Sequence, residues 1–136
     1  MTDANKKKAH EGMTVAELRA IGLDELRAAL PGVFPAGDVN LRDGRLGEDL
    51  VEIGLLSVYA LLWGREGLSP RDRSLVTLGI LIALRAETEL RTHFRIARTN
   101  GVTEDEIAEL IYHSAGYAGY PAATAARTAA RDARGV

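Results

Sequence analysis

The stretch Ser69-Pro70-Arg71-Asp72-Arg73-Ser74-Leu75-Val76-Thr77-Leu78-Gly79-Ile80-Leu81-Ile82-Ala83-Leu84 decides the fold class. Its first four residues open a helix. Ser suits the cap, Pro the first helical position, and Asp the first turn, where the helix dipole favours an anion. The apolar run from Leu75 to Leu84, interrupted only by Thr77 and Gly79, gives way at once to Arg85, Glu87, Glu89 and Arg91. Ten residues are too few to cross a bilayer, so the run predicts a helix buried on nearly all sides. That helix is expected to reach Thr99, with Asn100-Gly101 as its left-handed stop, and is long enough to hold a break near Arg85 to Thr88.

The flanking signals are helical too. Thr14-Val15-Ala16-Glu17 has capping-box spacing and predicts a helix from Val15 to Leu30 that ends at Pro31-Gly32 and is open to a break at Gly22. Residues 34 to 44 are rich in Pro, Gly and Asp and predict a loop. From Glu48 to Trp63 a helical stripe returns in Val51, Leu55, Val58 and Leu62, with Leu56, Tyr59 and Trp63 beside it. Thr103-Glu104-Asp105-Glu106 is a second capping box, opening a helix that turns Ile107, Leu110, Ile111 and Ser114 inward. After Gly116 to Gly119, Pro121 starts a last, alanine-rich helix running to about Ala133. No segment alternates in the manner of a strand, so the fold class is all-α with about six helices.

At 136 residues the chain suits one domain, with residues 1 to 13 read as a flexible N-terminal segment. Its formal charge of −2 is spread over intermixed signs, apart from Lys6-Lys7-Lys8. That excludes the basic stripe of a nucleic-acid partner. The polar start carries no targeting signal and no run suits a membrane, which predicts a cytoplasmic protein. Cys is absent, which removes disulfides, thiolate metal sites and thiol chemistry.

Of the three histidines, His93 and His113 are the site candidates, since His10 sits in the polar start. His93 follows Glu89 by four residues, which on a helix puts their Cβ atoms about 5–6 Å apart. A carboxylate there raises an imidazole's proton affinity and orients it, as acid–base work requires; the same pair also suits an ordinary surface contact. Glu89, His93 and His113 do not form a zinc-type motif, so no metal is expected. Arg73 stands out among the arginines because it lies beside the apolar run, where a stray charge is costly. Tyr112, Tyr117 and Tyr120 either line a pocket or cover the core. Nucleophile elbows and glycine-rich phosphate loops are missing.

Four segments, taken together, resemble the carboxymuconolactone decarboxylase family: 68–78, Glu87-Thr88-Glu89-Leu90-Arg91-Thr92-His93, 100–107, and Tyr117-Ala118-Gly119-Tyr120-Pro121-Ala122-Ala123. The resemblance spans about Trp63 to Ala126 and implies an all-α, alkylhydroperoxidase D-like helical bundle that assembles as a homo-oligomer, a trimer or hexamer. In the peroxidase branch two thiols precede the histidine; here those positions are Ala86 and Glu89, so the resemblance is to the cysteine-free branch. It implies decarboxylation of a small carboxylated lactone, as in aromatic catabolism, with no cofactor. The implied roles are His93 as proton donor oriented by Glu89, Arg73 as carboxylate or oxyanion partner, and His113 or Tyr117 as a further donor. Trp63, Arg73 and Tyr120 are the implied substrate contacts. The N-terminal part lacks the basic helix, and the stretch near Glu66 the proline, expected of that subgroup, which bears on the substrate. Two further readings stand beside this one: another proton-transfer reaction such as lactone hydrolysis or isomerisation in a biosynthetic pathway, and a non-catalytic ligand-binding ring.

Overall fold

A computed structural model describes residues 10–135, and every described element is helical. In order these are α1 (Val15–Ala29), α2 (Asp49–Gly54), a π-helix (Leu55–Trp63), α3 (Pro70–Leu84), α4 (Glu87–Thr99), α5 (Glu104–Ala118), α6 (Tyr120–Asp132) and a 3₁₀ turn (Ala133–Gly135). The expected flexible segment falls largely on residues 1–9, outside the described residues. The contacts divide the chain into two compact units, Met1–Gly67 and Leu68–Val136, where the sequence predicts a single domain.

Both capping boxes form as their spacing requires. Thr14 accepts from the Glu17 amide at 3.1 Å while Glu17 accepts from the Thr14 amide, and Thr103 and Glu106 make the same exchange. Ser69 caps α3 by accepting from the Asp72 amide at 3.1 Å. The long helix does break: Arg85 takes a left-handed conformation (φ 54°), and α4 begins two residues later. Such a φ is uncommon in a residue with a side chain, and it reverses the chain so that α4 folds back on α3.

In the N-terminal unit α1 runs unbroken through Gly22, where the backbone needs the missing side chain. A Cβ there would stand 2.6 Å from the Leu55 carbonyl oxygen. Leu23, Leu26 and Leu55 make the small core, closed over by Leu30, Phe34, Val39, Leu41 and Tyr59. Polar clamps supply much of the rest. Arg19 donates to Glu52 and Asp38 at 2.6 Å each and to the Val39 carbonyl, tying α1 to α2 and to the 34–44 loop. The expected helix from 48 to 63 winds as an α-turn and then a nine-residue π-helix, whose wider coil shows in the Gly64 amide bonding Tyr59 O at 3.0 Å. Because the coil is wider than the 3.6-residue pattern assumes, only Leu55 and Ala60 of it are buried and Val58 and Leu62 of the expected stripe face outward; Val51, in the α-turn before it, is exposed as well.

The C-terminal unit has the larger core, with Leu78, Ile82, Leu90, Phe94, Val102, Ile107 and Ile111 packed against the alanines of α6. α6 buries Ala122, Ala123, Ala126, Ala129 and Ala130, so its backbone comes close to α4 and α5. Arg98 pins the corner: it donates to Glu104 at 2.5 Å and to the Ala130 carbonyl at 3.0 Å, joining α4, α5 and α6. Arg71 pairs with Glu106, and Asn100 donates to the buried Ser74 hydroxyl at 3.0 Å. The expectation that α3 is buried on nearly all sides is corrected. Leu78 and Ile82 are fully buried, whereas Val76, Ile80 and Leu84 stand 52%, 54% and 70% exposed on successive turns of the opposite face.

Candidate active site

His93 lies in the middle of α4, between Leu90 and Phe94, which anchor the helix in the core. That placement leaves the imidazole half-buried, with its Nδ1 shut off from solvent. Burial disfavours the charged form and is the larger influence, so the His93 pKa is lowered from 6.5. Glu89, one turn earlier and exposed, acts the other way through its charge. Glu89 acts on His93 in the direction its spacing predicts, while the net shift is opposite to what the pair alone predicts. At neutral pH the resting imidazole is neutral, and its protonated form is a stronger acid than an exposed histidine.

Arg73 occupies the second turn of α3, half-buried, with its Nε shielded from water. α3 packs on both α4 and α5, so Arg73 and His93 belong to one packed set of helices. On α5, His113 and Tyr117 sit one turn apart with ring centroids 5.2 Å apart and planes tilted by 37°. Both are exposed, Tyr117 at 87%. Tyr112 and Tyr120 are also exposed, at 66% and 75%, so the tyrosines do not cover the core within this chain. Tyr120 follows Gly119, whose backbone (φ 95°, ψ 154°) is open essentially to glycine alone and lets α6 start without a linker. Among the described residues Glu89, His93 and His113 do not gather into a three-ligand metal cluster.

Trp63 ends the π-helix of the N-terminal unit and stacks on Tyr59, with centroids 6.5 Å apart and planes at 22°. Sequence periodicity already sets these two rings side by side, four residues apart on the stripe next to the main one. A cleft of about 700 Å³ lies in the same unit, between α1 and residues 37–42, and contains none of the expected site residues.

A packed set of helices that half-buries one imidazole under the field of a carboxylate defines a helical protein with a candidate acid–base group, in a sequence without cysteine. The chain belongs to the carboxymuconolactone decarboxylase family, whose model matches residues 56–132, more than half of its length. It is 51% identical over 71 residues to a 4-carboxymuconolactone decarboxylase of Acinetobacter baylyi, covering 52% of this chain and 53% of that protein. It is 48% identical over 63 residues to the nitrosuccinic acid decarboxylase npaB of Metarhizium robertsii, covering 46% of this chain and 44% of that protein. The chain spans about half the length of the curated relatives it matches. No helix among the described residues is long and apolar enough to cross a membrane.

Proposed function

We propose that this protein is a decarboxylase of small carboxylated molecules that works without a cofactor, with His93 as its proton donor. The observation that carries the reading is the lowered proton affinity of His93 inside a helix bundle of this family, together with the absence of any thiol. The two relatives are named for different substrates, a carboxylated lactone and a nitro acid. What those share is a carboxylate whose departing electron pair has somewhere to go, onto a conjugated lactone carbonyl or onto a nitro group. In the proposed reaction the bond between carbon and the carboxylate breaks and CO2 leaves. The electron pair delocalises onto the acceptor oxygen, the imidazolium of His93 delivers a proton to carbon, and solvent returns one to the ring. Arg73 serves as partner for a remaining carboxylate or for the developing oxyanion, where a guanidinium's two parallel donors suit either. His113 or Tyr117 supplies a further donor. An anionic substrate beside His93 favours its protonated form, so binding itself loads the acid.

The family match runs through Gly67, the end of the first unit, which supports treating the chain as one functional domain. The exposed row Val76, Ile80 and Leu84, with Gly79 leaving open space beside it, supports assembly with further copies of the chain in a ring. We place the protein in the cytoplasm, in the breakdown of aromatic compounds or a related pathway. CO2 release from γ-carboxymuconolactone and from nitrosuccinate is the direct test. His93→Ala is expected to lower kcat by at least about 100-fold on whichever is turned over. An unchanged rate in that variant removes His93 from the mechanism.

A further inference from the structure

The cleft of about 700 Å³ in the N-terminal unit is built from residues 16–42, which lie outside the 56–132 span matched to the family. Its volume is in the range of small-molecule sites. Three arginines line it, and their partners differ. Arg19 faces two carboxylates, Asp38 and Glu52, which together outweigh it by one negative charge, and Arg42 pairs with Asp49 at 2.6 Å. Arg27 is held instead by main-chain oxygens: Nε and Nη2 donate to the Pro35 carbonyl at 3.0 and 2.6 Å, and Nη2 also to that of Gly37. Neutral carbonyls fix the guanidinium in place without cancelling its charge. Among the described residues its Nη1 makes no hydrogen bond. Asp24 lines the same cleft three residues earlier on α1, and among the described residues it has no ion pair or hydrogen bond.

Arg27 and Asp24 face the cleft from a single helix face without a charged partner among the described residues, with Cβ atoms about 5–6 Å apart. They do not pair with each other because the 35–37 carbonyls draw the guanidinium aside. Ala16 and Ala20 continue the α1 wall one and two turns back as bare apolar surface, and Val39 faces them from the loop. A lone anion satisfies only Arg27, and a lone ammonium only Asp24. A zwitterion satisfies both.

We propose that this cleft binds an α-amino acid with an aliphatic side chain, its carboxylate on Arg27, its ammonium on Asp24 and its side chain along Ala16 and Ala20. The site shares no lining residue with the His93 helices and does not rest on the decarboxylase reading. Titration of the full chain with L-leucine, followed through backbone amide NMR shifts, tests it. Saturable shifts are expected for residues 16–27 and 37–42. Leucinamide, which lacks the carboxylate, and 4-methylpentanoate, which lacks the ammonium, are each expected to bind at least about 10-fold more weakly, as is leucine to Asp24→Asn or Arg27→Met. His93→Ala is expected to bind leucine as the parent does. Since Arg27 also braces the loop, Asp24→Asn, which disturbs no bond among the described residues, keeps the test clean if Arg27→Met unfolds. No saturation at millimolar leucine, equal binding of either analogue, or shifts centred on residues 73–117 overturns the proposal.

Discussion

The two units solve the same problem with different materials. The C-terminal unit is held by a broad apolar core in which Leu78, Ile82, Leu90, Phe94, Ile96 and Ala126 are fully buried. The N-terminal unit has three buried leucines and is braced by Arg19 and Arg27 reaching across to carboxylates and carbonyls. Apolar burial is cumulative and tolerant of detail, whereas charged clamps depend on each partner's position and offset their own desolvation. The contrast teaches where each kind of information resides: the family motifs lie mostly in the unit with the broad apolar core, where ion pairs such as Arg98 with Glu104 add to that core, and the Arg19 and Arg27 clamps that brace the smaller core lie outside the matched span.

The sharpest way to break that contrast is to remove the largest buried side chain. Phe94→Ala is expected to cost about 3–5 kcal/mol, read as a lowered denaturation midpoint with lost amide protection in α3–α6. If α1 and the π-helix lose protection equally in that variant, the units are one cooperative body and the contrast is only geometric. Gly22→Ala attacks the other side. Its new methyl meets the Leu55 carbonyl, and an expected loss of about 1–3 kcal/mol should appear first in α1 and the π-helix by hydrogen exchange.

Titration sharpens the comparison further, because each unit half-buries an ionisable group whose pKa burial shifts. Burial lowers the His93 pKa from 6.5 and raises that of Tyr59 from 10.0. If the imidazolium is the acid, kcat/KM is fullest at low pH and falls about tenfold per unit above the lowered pKa, so its limb lies below 6.5 in the free enzyme. The kcat limb should lie higher, since bound anion favours the proton. A single alkaline limb above 10 would move control to the tyrosine. The smallest effect concerns the outer face of α3. Ile80→Glu should leave the stability of the single chain within about 0.5 kcal/mol and shift the mass measured by sedimentation toward the monomer. An unchanged mass would mean that this row is not an interface.

Residues that act through their immediate neighbours in sequence were the legible ones. Thr14, Thr103 and Ser69 announce their caps, Gly101 its stop and Glu89 its histidine, because three- and four-residue spacings carry the contact. The left-handed turn at Arg85 was legible only as a region, since nothing marks that arginine for a positive φ. The π-coil was invisible for a clearer reason: its sequence, Leu-Leu-Ser-Val-Tyr-Ala-Leu-Leu-Trp, satisfies ordinary helical periodicity equally well. Apolar periodicity likewise cannot separate residues that enter a core, such as Leu78, from those such as Ile80 that remain outside it. In the candidate site, the pairing of His93 with its carboxylate came from spacing, and the role expected of the pair from the family resemblance. The direction of its pKa shift came from burial, which only the packing of α4 decides.

One consequence follows from the alanines of α6. Interhelical distances depend on the side chains between the axes, and the alanines of α6 bring methyl groups that have no rotamers with which to adjust. α4 and α5, which carry His93 and His113, therefore share a neighbour whose own side chains offer no compliance. Adjustment across the seam falls to the larger side chains opposite, such as Leu90 and Phe94 on α4 and Ile107 and Ile111 on α5. α6 is a shim between the two histidine helices, and its stiffness comes from the smallness of its parts.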